Sequence, residues 1–140
     1  MRARAMGSKT ERVKEVLKLL TEQFGIKELP FRLEERGKGR FYAFTCNFEG
    51  SHHRGIYFGT LERGGFRLSI DGAALAGGLA TKNVVELSDE EAERWMRGED
   101  IEIEGIRGYV ILKWRNFFIG CGRGEGEKIK NFVAKNRRIS

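Results

Sequence analysis

Proline is almost missing from this chain of 140 residues, Pro30 being the one example, and cysteine is confined to Cys46 and Cys121. With 40% hydrophobic residues, so little proline argues for ordered structure and against a disordered basic tail. The two cysteines lie far apart and in no CxxC spacing, which excludes a zinc knuckle and a disulfide framework, and both are expected as small core residues. No run of roughly eighteen apolar residues occurs and no charged-then-apolar leader opens the chain. Neither a membrane span nor a secretory signal is therefore expected, and the expected compartment is the cytoplasm.

Chemistry-bearing constellations are missing as well. Histidine is limited to His52 and His53. Adjacent side chains on an extended chain point to opposite sides, and no ligand set stands at metal spacing, so no metal site is expected. The alternate glycines at 120, 122, 124 and 126 fit neither GxxxxGK followed by Ser or Thr nor GxGxxG, which argues against a phosphate loop. No base-to-nucleophile arrangement is visible around the cysteines, the histidines or the acidic stretch. Catalytic residues, cofactors and enzymatic activity are not expected.

What the chain does have is an uneven charge distribution. From Lys113 onward, eight Lys or Arg stand against Glu125 and Glu127, a local net of +6 that equals the net charge of the whole chain. A cationic field gathered in one segment is best explained by an anionic partner met at one surface. Residues 86–112 are the opposite, with nine acidic side chains against Arg94, Arg97 and Arg107. Part of that is helix chemistry, because Asp89, Glu90 and Glu91 fall in a first turn where negative charge is favoured. The rest would repel such a partner, so this stretch is expected to face away from it.

The length fits one domain, or one domain with a small appendage. Ser8 and Glu11 have capping-box spacing, and Val13, Val16, Leu17, Leu20 and Phe24 recur at helical intervals up to Gly25. Residues 31–47 read as two strands around Gly37-Lys38-Gly39, whose basic tip, Arg36, Lys38 and Arg40, can touch a phosphate. Residues 55–62 and 66–70 read as a hairpin through Arg63-Gly64-Gly65. Asp71 is expected to open a helix of small residues packed on a sheet. Residues 84–87 form a brief strand, and Ser88 with Glu91 caps a helix stopped at Gly98.

From Tyr109 the alternation describes a strand turned at Arg115-Asn116, with Asn116 as the residue tolerant of positive φ, and residues 117–121 return beside it. The four glycines that follow free the backbone for close approach or for a bulge. Residues 128–133 read either as a strand with Lys128, Lys130 and Phe132 on one face or as a helix that buries Phe132. The first reading offers cations for phosphates and an aromatic ring for a base.

The segments GTLERGGFRLSIDGAALAG, VELSDEEAERWMRGED and GYVILKWRNFFIGCGRGEGEKIKNFVAKNRRI together resemble the PUA-like domain found at the C-terminus of RNA cytosine-5 methyltransferases of the RsmF/Fmu type. The family's pattern is a hairpin, a small-residue helix, an acidic helix ending in glycine, and a glycine-rich strand leading into a basic motif. That motif falls on Lys130, Asn131, Lys135 and Arg138, with Ala134 where the family usually has proline and Cys121 where an aromatic is common. The resemblance implies an α+β fold, a PUA-like mixed β pseudobarrel with flanking helices, here preceded by an N-terminal amphipathic helix and β-hairpin. The expected division is a 1–54 appendage and a 55–140 PUA-like domain, or one compact unit.

The resemblance also implies binding of structured RNA, rRNA or tRNA, in RNA modification or ribosome biogenesis. No SAM-binding Rossmann pattern or Pro-Cys catalytic motif is present, so the methyltransferase activity is not carried over. The expected RNA-binding residues are Lys113, Arg115, Arg123, Lys128, Lys130, Asn131, Lys135, Arg137 and Arg138. The alternative is a protein-interaction subunit that docks on a separately encoded RNA methyltransferase or ribosomal protein, through the acidic helix that carries Trp95 and Met96.

Overall fold

The computed structural model describes residues 9–44 and 55–139. The expectations for Ser8, Cys46, His52 and His53 lie outside the described residues. The chain opens on α1 (Lys9–Phe24), whose inner face buries Val16, Leu20 and Phe24, and Gly25 ends it in the left-handed region at φ 67°. From the outer side of α1, Arg12 donates to Glu35 at 2.6 and 2.8 Å.

Two four-stranded sheets follow among the described residues. The first is an antiparallel meander of β1 (Arg32–Glu35), β2 (Arg40–Phe44), β3 (Ile56–Glu62) and β4 (Gly65–Leu68). A boundary at 54/55 would fall between β2 and β3, which are hydrogen-bonded neighbours. The second sheet orders β5 (Val84–Glu86), β6 (Arg107–Trp114), β7 (Phe117–Glu125) and β8 (Ile129–Lys130), with β5 parallel to β6 and the other pairs antiparallel. The small-residue helix α2 (Ile70–Ala76) links the sheets. Its cap is Ser69, two residues before the expected start, and Ser69 Oγ accepts the Gly72 N–H at 2.8 Å. A Cβ on Gly72 would stand 1.9 Å from the Phe58 carbonyl oxygen, so only glycine lets this helix lie on β3. The acidic helix α3 (Asp89–Met96) carries the expected reciprocal box of Ser88 and Glu91.

Strand β6 shows why the architecture holds together. Tyr109 and Ile111 enter one core with α1, the first sheet and α2, while Val110 and Leu112 enter a second core with Trp95, Ile101, Ile129 and Val133. A strand buried on both faces loses the polar alternation of a half-exposed one, and all four residues are buried. The α+β expectation of a mixed sheet with flanking helices, after an N-terminal helix and hairpin, agrees with this architecture. Among the described residues, no helix is long and apolar enough to cross a membrane.

Candidate nucleic-acid interface

The β6–β7 hairpin builds one end of the candidate interface. Its turn is Arg115-Asn116 as expected, but the residue in the left-handed region is Arg115, at φ 56°, and not Asn116. At the tip, Trp114 and Phe117 stack with centroids 5.8 Å apart, and the Arg115 guanidinium lies 5.1 Å from the Trp114 ring. Asp89 at the start of α3 accepts Arg115 at 3.0 and 3.2 Å and the Trp114 indole N–H at 2.7 Å. Arg115 first, then Trp114, holds the Asp89 carboxyl below its ordinary range. Beside the tip runs a groove of about 370 Å³ lined by Ile70, Met96, Trp114, Phe117, Val133 and Arg137 among others. Phe117 is 59% exposed, an unusual setting for a ring of that size.

The glycines of β7 serve close approach, one of the two expected readings, and the groups that approach are core side chains. A Cβ on Gly120 would meet the Trp95 indole nitrogen at 2.9 Å, and one on Gly122 would meet Ile129 at 2.5 Å and the Trp95 ring at 2.7 Å. The bare backbone is the seat for a fully buried Trp95. Trp95 is therefore core, and α3 does not present it as a docking residue.

At the other end of β7, Arg123 pairs in register with Tyr109 and Lys130. Phe132 settles between two guanidiniums, Arg67 at 4.5 Å and Arg123 at 5.5 Å from its ring, half-buried and neither packed into the core nor free. Of residues 128–133 only Ile129–Lys130 form a strand, with Ile129 buried and Lys128 and Lys130 exposed, and Phe132 lies beyond it. Arg67 also donates to Glu62, which accepts the Tyr109 hydroxyl at 2.5 Å. Burial and Glu62 push the Tyr109 phenol up to about 12.

Asn131 is a clasp for the fold. Its amide donates to the carbonyls of Trp95 and Glu99, both at 2.8 Å, and its Oδ1 accepts the Val133 N–H at 2.6 Å. Little carboxamide capacity is left for a nucleotide. Arg138 similarly packs against Gly98, which takes φ 95°, and donates to the Val133 carbonyl at 3.1 Å.

The expected site residues thus fall into two groups joined by the tail. Lys113, Arg115 and Arg137 gather about the hairpin tip, and Arg123, Lys128 and Lys130 stand near the opposite end of β7, about 20 Å along the strand from Phe117 to Arg123 at roughly 3.3 Å per residue. The acidic stretch, expected to face away from the anionic partner, touches the basic segment at two points. Asp89 pairs with Arg115, and Asp100 with Lys128 at 3.1 Å, because seating Trp95 on β7 brings the ends of α3 beside the hairpin. Asp71 of α2 takes Arg137 at 3.4 Å. Lys135 is exposed and forms no ion pair among the described residues. Arg67 was missed by sequence reasoning, since nothing local in FRLSI signals a partner in residue 132.

Cys121 is buried, as expected, and desolvation pushes its thiol up to about 12. The thiolate is the reactive form, so a folded chain held at pH 8 with iodoacetamide should leave Cys121 unmodified until denaturant is added. Peptide mass mapping checks this, and rapid native alkylation at Cys121 would contradict the packing described.

Residues 82–139 match the family described as the methyltransferase RsmF PUA domain. The chain is similar to ribosomal RNA small subunit methyltransferase F of Aeromonas salmonicida, 33% identical over 83 residues, covering 58% of this chain and 17% of that protein. Its counterpart in Vibrio atlanticus is 39% identical over 51 residues, 35% of this chain and 11% of the relative. That of Vibrio cholerae is 30% identical over 79 residues, 55% of this chain and 17% of the relative. The chain spans less than a fifth of the length of these relatives.

Proposed function

We propose, on the premise that residues 82–139 belong to the RsmF methyltransferase PUA domain family, that this chain binds structured RNA, rRNA or tRNA, in the setting of RNA modification or ribosome assembly. The observation that carries this reading is the combination on one segment of exposed cations with open aromatic surface: Lys130 and Lys135, Arg123 over Phe132, and Arg115 over Trp114 beside the exposed Phe117. Guanidinium and ammonium groups meet phosphates, and the rings give unpaired bases a surface. Lys113, Lys128, Arg137 and Arg138 add charge to the same segment.

The pairing of Arg115, Lys128 and Arg137 with carboxylates bears on how binding works. Each is an exposed pair of low worth, which a phosphate can replace at small cost. Those carboxylates hold the long side chains in place and weaken contact with anything less charged than a phosphate backbone. With about four to six phosphate contacts, log K should fall against log salt with a slope of roughly −3 to −5. Fluorescence anisotropy with rRNA fragments and total tRNA at two salt concentrations measures it. Salt-insensitive binding, or no binding below tens of micromolar, would rule out this function.

A further inference from the structure

The first sheet carries a second surface of similar chemistry, outside the residues matched by the family. On β1–β3 the side chains that point away from α1 are Arg32, Tyr42, Phe44 and Tyr57, with Arg36 and Arg40 flanking the tight turn. Arg32 and Arg36 both lie on the Phe44 ring, at 5.2 and 4.8 Å, and Arg40 lies on Tyr57 at 4.7 Å. Tyr42 and Tyr57 are cross-strand partners with rings 5.6 Å apart. The bulge opposite Phe41/Tyr42 puts an extra residue of β3 on the inner side, so that Phe58 is buried while Tyr57 and Thr60 share the outer face and join hydroxyls.

Charge on this face is lopsided. Glu34 is the one carboxylate among these side chains, and it takes one nitrogen each of Arg32, at 3.0 Å, and Arg36, at 3.3 Å. Both arginines remain more than half exposed, and most of their donors stay open. Arg40 is exposed and has no carboxylate partner among the described residues. Three guanidiniums placed over aromatic rings form a surface suited to phosphates and base faces together.

The face also leads toward the RsmF-like region. Arg40, Thr60 and Arg67 are successive register partners across β2, β3 and β4, so Arg40 and Arg67 stand about 10 Å apart at the usual strand spacing. Arg67 in turn lies on Phe132, which Arg123 covers from the second sheet. An arginine and aromatic track therefore runs from Phe44 through Tyr57, Arg40 and Arg67 to Phe132 and Arg123.

We propose that this track holds an unpaired RNA strand continuous with the structured RNA bound by residues 82–139, its bases on Tyr42 and Tyr57 and its phosphates on Arg32, Arg36 and Arg40. The proposal rests on the RNA-binding reading above. A single strand is the occupant that fits, because stacking accepts any base face and needs bases that are not already paired.

The test compares an RNA hairpin with the same hairpin carrying a six-adenosine single-stranded extension, by anisotropy at one salt concentration. The wild-type chain should bind the extended RNA about tenfold more tightly. Arg40→Ala with Tyr42→Ala should remove that advantage and leave the blunt hairpin unaffected. Arg32→Ala with Arg36→Ala, which alters exposed side chains only, should reduce the advantage severalfold and guards against a folding defect in the first variant. Equal binding of the two RNAs by the wild type, with the blunt hairpin still bound, overturns this proposal alone. Failure of the wild type to bind either RNA overturns the RNA-binding reading and this proposal together. An extension advantage that survives both double substitutions assigns the strand to another surface.

Discussion

Replacing Trp95 by alanine should destabilise the fold by about 3–5 kcal/mol, the range for truncating a large buried aromatic. Trp95 is fully buried and sits against the glycines of β7, with Val110, Leu112, Ile129 and Val133 in the same core. A domain of this size holds only about 5–15 kcal/mol in total, so the variant should be marginally folded at room temperature. Urea unfolding followed by far-UV circular dichroism measures the loss, and a change below about 1 kcal/mol would contradict the central role given to this side chain.

The indole N–H is buried without an acceptor among the described residues. Trp95→Phe removes that unpaired donor along with part of the ring, so it should cost less than half as much as Trp95→Ala. A companion substitution tests the glycine seat. A Cβ on Gly122 would stand 2.5 Å from Ile129, 2.7 Å from the Trp95 ring and 2.9 Å from the Lys130 carbonyl oxygen. Gly122→Ala alone should therefore cost about 1–3 kcal/mol through overpacking. Combined with Trp95→Ala it should cost less than the sum, because the cavity relieves part of the clash.

Charge reversal at Lys130 and Lys135 should weaken RNA binding by about tenfold per lost contact and lower the salt slope by roughly two. These two lysines suit the test because both are exposed on the tail segment and neither is in a salt bridge among the described residues. Lys130 acts on Asp100 only as a nearby charge. Reversing Arg138 would confound binding with folding, since its guanidinium packs on Gly98 and holds the Val133 carbonyl. The control is Glu90→Lys with Glu93→Lys on the outer side of α3, which should leave affinity unchanged or raise it slightly. Anisotropy at two salt concentrations reads both quantities. Equal losses from the two double variants would falsify the assignment of the tail as the RNA face.

The features legible in the sequence were those set by neighbours along the chain. Helical spacing at Val13, Val16, Leu17, Leu20 and Phe24 marked α1, and the Ser88 and Glu91 spacing marked the box that starts α3. The turn at Arg115-Asn116 was placed correctly, although the positive φ belongs to Arg115. The arginine and aromatic face of the first sheet has a local signal of its own. Arg40, Tyr42 and Phe44 alternate with the core side chains Phe41 and Ala43, and of that outward set the sequence marks only Arg40, through the basic turn, as able to touch a phosphate.

By itself, then, the sequence determined the order of helices and strands and the concentration of cations in its last fifth, because capping, turn chemistry and amphipathic period depend on residues a few positions apart. Tertiary structure alone decided which of those cations are paired. Asp89 and Arg115 are 26 residues apart, Asp71 and Arg137 are 66 apart, and no local rule brings such groups together. It decided equally that Trp95 fills the glycine ladder, that Asn131 is a clasp, and that Phe132 rests between Arg67 and Arg123. Each depends on two sheets packing around the doubly buried strand β6, a non-local event whose geometry is set by the whole core.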